Sequence, residues 1–241
     1  MKIYAIGLGP GDAAHLTPGA EAAIRESGVI VGYTNYLDLI PELVRGKELI
    51  STGMKGEVQR CELAIAEARM GKQVCVVSSG DAGIYGMASL LYELAEGTDI
   101  EVEVIPGITA ASSAAAVLGS PLTNDFAVIS LSDLLTPWEV IEKRVDACGA
   151  ADMVLCLYNP QSIKRSRHLH SACGIVLRYR SPETVCGYVR NAFRGSDSES
   201  RVCSLEELSS AQVDMFTTVI IGNSCTRNIN GKIVTSRGYS I

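Results

Sequence analysis

The chain is expected to fold as a two-domain α/β protein, with a mostly parallel N-terminal sheet domain over residues 1–119 and a mixed-sheet C-terminal α/β domain over residues 120–241. Three observations predict this. Through the first half, short apolar runs alternate with helix-length segments, and such β-then-α repetition brings successive strands parallel with helices on both faces. The Gly119-Ser120-Pro121 break interrupts that alternation. Beyond it, strand-like runs at 184–189, 200–203, 217–221 and 232–235 follow one another through short loops, as antiparallel members of a mixed sheet do. Ligands of open α/β sheets bind beyond the carboxyl ends of the strands, so a small-molecule cleft between the two domains is expected.

Residues 2–7 read as an apolar strand that runs into a turn holding Gly7, Gly9, Pro10 and Gly11. The glycines let backbone approach a bound molecule closely, while Pro10 fixes φ and removes one amide donor. In the dinucleotide fingerprint G-x-G-x-x-G a third glycine lets the helix pack on the strand. Asp12 stands there instead, and its charge opposes a pyrophosphate.

Thr17 followed by Pro18 marks the N-cap and first turn of a helix that stops near Gly28, and a strand follows at 29–31. After a loop around 52–56, Val58, Cys61, Leu63, Ala64, Ile65 and Ala68 recur on one helical face until Gly71. A strand at 73–78, a helix at 84–95 ended by Gly97, a strand at 101–105 and a small-residue helix at 109–118 complete the first half. A strand at 126–131, a helix from 137 to about 147 and a strand at 153–158 open the second.

Hydrophobic residues make up 47% of the chain and charged residues 20%, the balance of a globular protein and not of a disordered one. No run of 18 apolar residues occurs, and the first strand carries Lys2 and ends at Gly7. Neither a membrane span nor a secretory signal is read, and a cytoplasmic location is expected. A net charge of −6 opposes general nucleic-acid binding, which draws its affinity from Lys and Arg on phosphates. The eight cysteines never form a C-x-x-C pair, so buried thiols are expected and no metal or iron–sulfur site. His15, His168 and His170 are too scattered to suggest otherwise. One basic island breaks the acidic balance: residues 161–182 hold no Asp or Glu but carry Lys164, Arg165, Arg167, Arg178 and Arg180. It reads either as a solvated helix face or as a dock for a small polyanion.

Four loops sit where apolar strands end, at 7–12, 78–86, 105–110 and 157–160. Read singly, Thr109 is a helix cap and Asp81 a turn residue. Taken together and in order, the loops resemble those of the tetrapyrrole (corrin/porphyrin) methylases, two-domain S-adenosylmethionine-dependent methyltransferases that form homodimers. The resemblance covers essentially the whole chain. Within that family the chain is most similar to the precorrin-3B C17-methyltransferases of cobalamin biosynthesis. The matching motifs are Gly32-Tyr33-Thr34-Asn35-Tyr36, Gly80-Asp81-Ala82-Gly83-Ile84-Tyr85-Gly86-Met87, Ser130-Leu131-Ser132-Asp133-Leu134-Leu135-Thr136-Pro137-Trp138 and Leu157-Tyr158-Asn159-Pro160. Other members usually carry a proline where Ala82 stands, and some of this branch add a cluster-binding region whose cysteines are missing here.

The resemblance implies C17 methylation and ring contraction of precorrin-3B, or of its cobalt form, to precorrin-4 or cobalt-precorrin-4. It implies S-adenosylmethionine held by Leu8, Pro10, Gly80, Asp81, Gly83, Ile84, Tyr85, Thr109, Ala110, Tyr158, Asn159, Gly222 and Asn223, largely through backbone. Asp81 is also expected to attract the sulfonium, by about 4 kcal/mol at roughly 4 Å and an effective dielectric near 20, before desolvation is subtracted. Contraction opens a lactone and shifts a ring bond, so a proton-transfer group is expected among Ser132, Asp133 and Tyr36; Asp133 reads equally as a surface turn residue. Corrinoid precursors carry many carboxylates, which Arg165 and Arg167 suit through bidentate pairing. The rival readings are a tetrapyrrole methyltransferase acting at another ring carbon, a nucleotide-dependent oxidoreductase and a non-catalytic corrinoid carrier.

Overall fold

Alternation of side chains along β1 (Lys2–Gly7) decides how the first sheet is covered. In the computed structural model, which describes residues 1–239, β1 is followed by α1 (Pro18–Glu26), β2 (Val29–Tyr33), α2 (Thr34–Leu37), α3 (Pro41–Val44), β3 (Glu48–Thr52), α4 (Glu57–Arg69), β4 (Val74–Ser78), α5 (Ala88–Ala95) and β5 (Glu101–Ile105). The strands pair in the order β3-β2-β4-β1-β5, all parallel. Ile3 and Ala5 join Val31 and Val76 under Cys61 and Ala64 of α4 and Leu91 of α5. Tyr4 and Ile6, on the opposite face, join Ile30 and Val77 against Ala20, Ala23 and Ile24 of α1. Helices cover both faces, as the βα alternation predicts. The carboxyl ends of β1, β4 and β5 then carry the glycine loops.

The second half is built from α6 (Ala110–Leu118), β6 (Gly119–Ser120), β7 (Phe126–Ser130), α7 (Trp138–Ala150), β8 (Val154–Tyr158), α8 (His168–Val176), β9 (Val185–Arg190), β10 (Glu199–Ser204), α9 (Leu205–Ser209), β11 (Thr217–Ile221), β12 (Thr226–Ile229) and β13 (Lys232–Thr235). Its main sheet runs β10-β9-β11-β8-β7, with β7 parallel to β8 and the other pairs antiparallel. α7, α8 and α9 cover one face through Ile141, Val145, Leu169, Cys173, Leu205 and Leu208. On the other face Gly187 lies under α6 and β13, where a Cβ would stand 2.7 Å from Ile233 Cδ1 and 3.0 Å from Leu118 Cδ2.

That packing decides where the chain divides. The compact units are Met1–Ala110 and Ala111–Ile241, so the separation falls at the first residue of α6, ahead of the Gly119 break. Leu118 carries α6 onto the second sheet, and Gly119 and Ser120 pair with Ile233 and Val234 of β13.

The expected N-cap is present: Thr17 Oγ1 accepts from Ala20 N–H at 3.1 Å. The helix expected at 84–95 begins only at Ala88. Tyr85 sits at φ 55°, and a Cβ on Gly86 would lie 2.4 Å from Ala82 O, so the chain bends back on itself before it can wind. α8 falls inside the basic stretch of residues 161–182. Cys61, Cys75, Cys156, Cys173, Cys186 and Cys203 are buried, Cys148 is half-buried and Cys225 exposed. Burial pushes the Cys156 and Cys173 thiols up to about 12, which keeps them neutral and unreactive near pH 7. Among the described residues no helix is long and apolar enough to cross a membrane, and no three His, Cys, Asp or Glu side chains gather as metal ligands.

Candidate functional site

The loops after β1, β4 and β5 are joined backbone to backbone. Leu8 N–H donates to Ser78 O at 2.8 Å, Gly9 N–H to Gly80 O at 2.9 Å and Gly80 N–H back to Gly9 O at 2.7 Å. The approach excludes side chains: a Cβ on Gly7 would lie 2.6 Å from Gly107 N, and one on Gly107 only 2.2 Å from Gly80 O. Asp81 locks the arrangement. Its Oδ1 accepts from Gly83 N–H at 2.8 Å and its Oδ2 from Gly107 N–H at 3.0 Å, which ties the β4 loop to the β5 loop. The carboxylate therefore serves the protein's own amides.

Around this lock the loops present groups of their own. Ile84 and Tyr85 are exposed, and Ser78 Oγ at the end of β4 is buried without a hydrogen-bond partner. Leu8 is a core side chain and Pro10 is buried. Asp12, which spoils the dinucleotide fingerprint, pairs with His15 Nδ1 at 2.7 Å. Thr109 and Ala110 lead from β5 into α6. Tyr36 lies in α2, its ring edge-on to Tyr33 with centroids 5.2 Å apart.

The second unit gathers its candidates at the ends of the parallel strands β7 and β8. Ala111 N–H donates to Tyr158 Oη at 2.7 Å, and Leu131 N–H to Tyr158 O at 2.8 Å. Asn159, held at φ 52°, donates through Nδ2 to Ser130 Oγ at 3.0 Å, and Ser132 N–H reaches the same hydroxyl at 3.3 Å. Ser130 is thus the hub that joins the two strand ends, a part that only its place inside the Ser130–Trp138 motif hints at in the sequence. One residue on, Asp133 Oδ2 stands 3.1 Å from Nε2 of His168, the first residue of α8. Ser132 and Asp133 share the second unit, whereas Tyr36 belongs to the first.

Gly222 and Asn223 form the turn after β11. Asn223 Nδ2 donates to Asp152 O at 3.1 Å, while its Oδ1 accepts from Cys225 N–H at 3.0 Å and Thr226 Oγ1 at 3.1 Å. The amide side chain builds this turn.

The basic island separates into different jobs. Arg178 Nη2 pairs with Asp146 at 2.8 Å on the surface. Arg180 is buried, donates to the carbonyls of Gly222 and Met153 and has Asp152 3.8 Å from its Nε. Burial lowers its pKa and the Asp152 carboxylate opposes that fall. It thereby holds the Gly222–Asn223 turn. Arg180→Met is expected to cost about 3 kcal/mol, because two buried carbonyls lose a charged donor; urea unfolding followed by circular dichroism measures it. What remains for a ligand is the loop after β8. Arg165 binds Ser162 Oγ through Nε at 3.2 Å but keeps Nη1 buried and unpartnered, and Arg167 is exposed.

Known proteins share this organisation. Residues 2–209 match the family model described as Tetrapyrrole (Corrin/Porphyrin) Methylases. The chain is 46% identical over 244 residues to a Cobalt-factor III methyltransferase of Priestia megaterium, covering 99% of this chain but only 45% of that longer protein. It is 45% identical over 238 residues to a Probable cobalt-factor III C(17)-methyltransferase of Salmonella typhimurium, covering 98% of each. The crystal structure of the methyltransferase CobJ superposes with a TM-score of 0.88 at 35% identity, over 97% of this chain and 99% of that one. Sequence and fold agree over nearly the whole length, and the chain belongs to the tetrapyrrole methylases.

Proposed function

We propose that this methyltransferase methylates C17 of precorrin-3B, or of its cobalt form, and contracts the macrocycle to precorrin-4 or cobalt-precorrin-4 in cobalamin biosynthesis. The observation that carries this reading is the end-to-end likeness to the Salmonella relative, and the names of both bacterial relatives favour the cobalt-loaded substrate. Homodimeric assembly and a cytoplasmic location complete the same reading; light scattering of the purified chain tests the first.

The residues suit S-adenosylmethionine. An orphaned hydroxyl, Ser78 Oγ, lies at the end of β4, exposed Ile84 and Tyr85 offer apolar surface to an adenosyl group, and the loop backbones come together without intervening side chains. When bound, the cofactor supplies a methyl group on a sulfonium, a leaving group that needs no acid. The chain's own contribution is then to hold a nucleophilic carbon in line, and such positioning is worth roughly 7–11 kcal/mol of barrier. Arg165 and Arg167 provide guanidinium groups for the carboxylates of the macrocycle, the former with Nη1 already stripped of water and unpaired.

Arg165→Ala is expected to raise KM for the tetrapyrrole by about tenfold, the worth of one charged hydrogen bond, with cofactor affinity unchanged. Calorimetry with S-adenosylhomocysteine alongside initial rates separates the two, and an equal loss of both would refute the assignment. Incubation with cofactor and each of the two substrates, followed by mass spectrometry and ring-position analysis by NMR, tests the function itself. A methyl group at any other ring carbon overturns it.

A further inference from the structure

Nothing in the spacing of the histidines marks His168, yet two side chains of the β7–α7 connection converge on it. It opens α8, directly after the Arg165–Arg167 loop. Asp133, from the loop after β7, brings Oδ2 to 3.1 Å from Nε2. Trp138, the first residue of α7, packs against the imidazole with centroids 4.4 Å apart and planes at 66°. The side chain is 18% exposed with Nε2 buried, while the Asp133 side chain is 39% exposed. The Nε2–Oδ2 pair is at ion-pair distance without the alignment of a full hydrogen bond. With Nε2 facing a carboxylate, the proton of the neutral ring belongs on Nε2 and the lone pair on Nδ1. Leu134, Leu135 and Ile163 stand exposed on the same two loops, an apolar rim of the kind a flat macrocycle covers.

We infer that His168, oriented by Asp133 and Trp138, takes the proton released when the macrocycle contracts; this rests on the function proposed above. In a contraction driven by lactone opening, a hydroxyl O–H bond breaks as its oxygen becomes a carbonyl. The adjoining ring carbon–carbon bond migrates to the neighbouring carbon. The lactone C–O bond on that carbon breaks, and its electron pair leaves as a carboxylate. One proton is set free and no oxidant is consumed. His168 Nδ1 receives that proton, and the resulting imidazolium is stabilised by the Asp133 carboxylate. Asp133 is thus a positioning residue that acts through His168, which replaces the expectation that it moves the proton itself.

The test uses the full chain with S-adenosylmethionine and precorrin-3B, the substrate that carries the lactone and its adjoining hydroxyl, following methyl transfer by release of S-adenosylhomocysteine and contraction by NMR of the pigment. His168→Gln is expected to lower the ratio of contraction to methyl transfer by about 10²-fold or more, the usual weight of a general base. Asp133→Asn, a surface change, should lower the same ratio by less, and circular dichroism should be unaltered in both. Contraction at the unmutated rate in His168→Gln overturns the inference. So does an equal fall of methyl transfer and contraction, which would make His168 a binding residue. Absence of any methylated pigment from the unmutated chain would instead refute the underlying function.

Discussion

Asp81→Asn will weaken S-adenosylmethionine and S-adenosylhomocysteine binding by the same factor and lower thermal stability at the same time. The carboxylate accepts two backbone N–H donors, from Gly83 and Gly107. An asparagine can accept only one of them, and turns its own NH₂ toward the other. One amide is left facing a donor, at a cost of about 1–3 kcal/mol, and the loop after β5 loses its anchor to the loop after β4. For a chain of this size that corresponds to a Tm lower by about 2–4 °C per kcal/mol. The two ligands separate geometry from charge, since one carries a sulfonium and the other a neutral thioether. Calorimetry with both is the measurement. If only S-adenosylmethionine loses affinity and Tm is unmoved, the sulfonium attraction expected from the sequence is the correct role.

Gly107→Ala should be more severe. Its Cβ would fall 2.2 Å from Gly80 O and 2.6 Å from Gly7 C, both backbone atoms that cannot rotate aside. Overpacking of this kind costs roughly 1–3 kcal/mol where flexible side chains absorb it, and more where backbone must move. Loss of measurable S-adenosylhomocysteine binding is expected, with a urea midpoint shifted well below that of the unmutated chain. A variant that binds the ligand normally would show that the three-loop junction is not the cofactor site.

Much of this was legible beforehand because the signals are local. Short apolar runs followed by turn residues marked the strands, and the Thr17-Pro18 pair marked a helix start that forms as expected. The β1, β4 and β5 loops were found because they combine glycine with strand ends. What escaped depends on contacts between distant residues. The small-residue helix α6 has no local mark of which sheet it serves; Leu118 against Gly187 and Ala111 on Tyr158 decide that. The basic island looked uniform, but Arg180 turns inward to two carbonyls while Arg178 meets Asp146 outside. His168 and Asp133 meet only because β7 and β8 lie side by side and parallel.

The Asp81 anchor also governs what can be exchanged between relatives. Its second partner is a main-chain amide, so the 78–86 segment can be transplanted into a homologous scaffold only if the recipient loop offers an N–H at the position of Gly107 and no side chain there. Proline lacks the donor and every other residue brings a Cβ, which makes the two segments a single heritable cassette for any chimera.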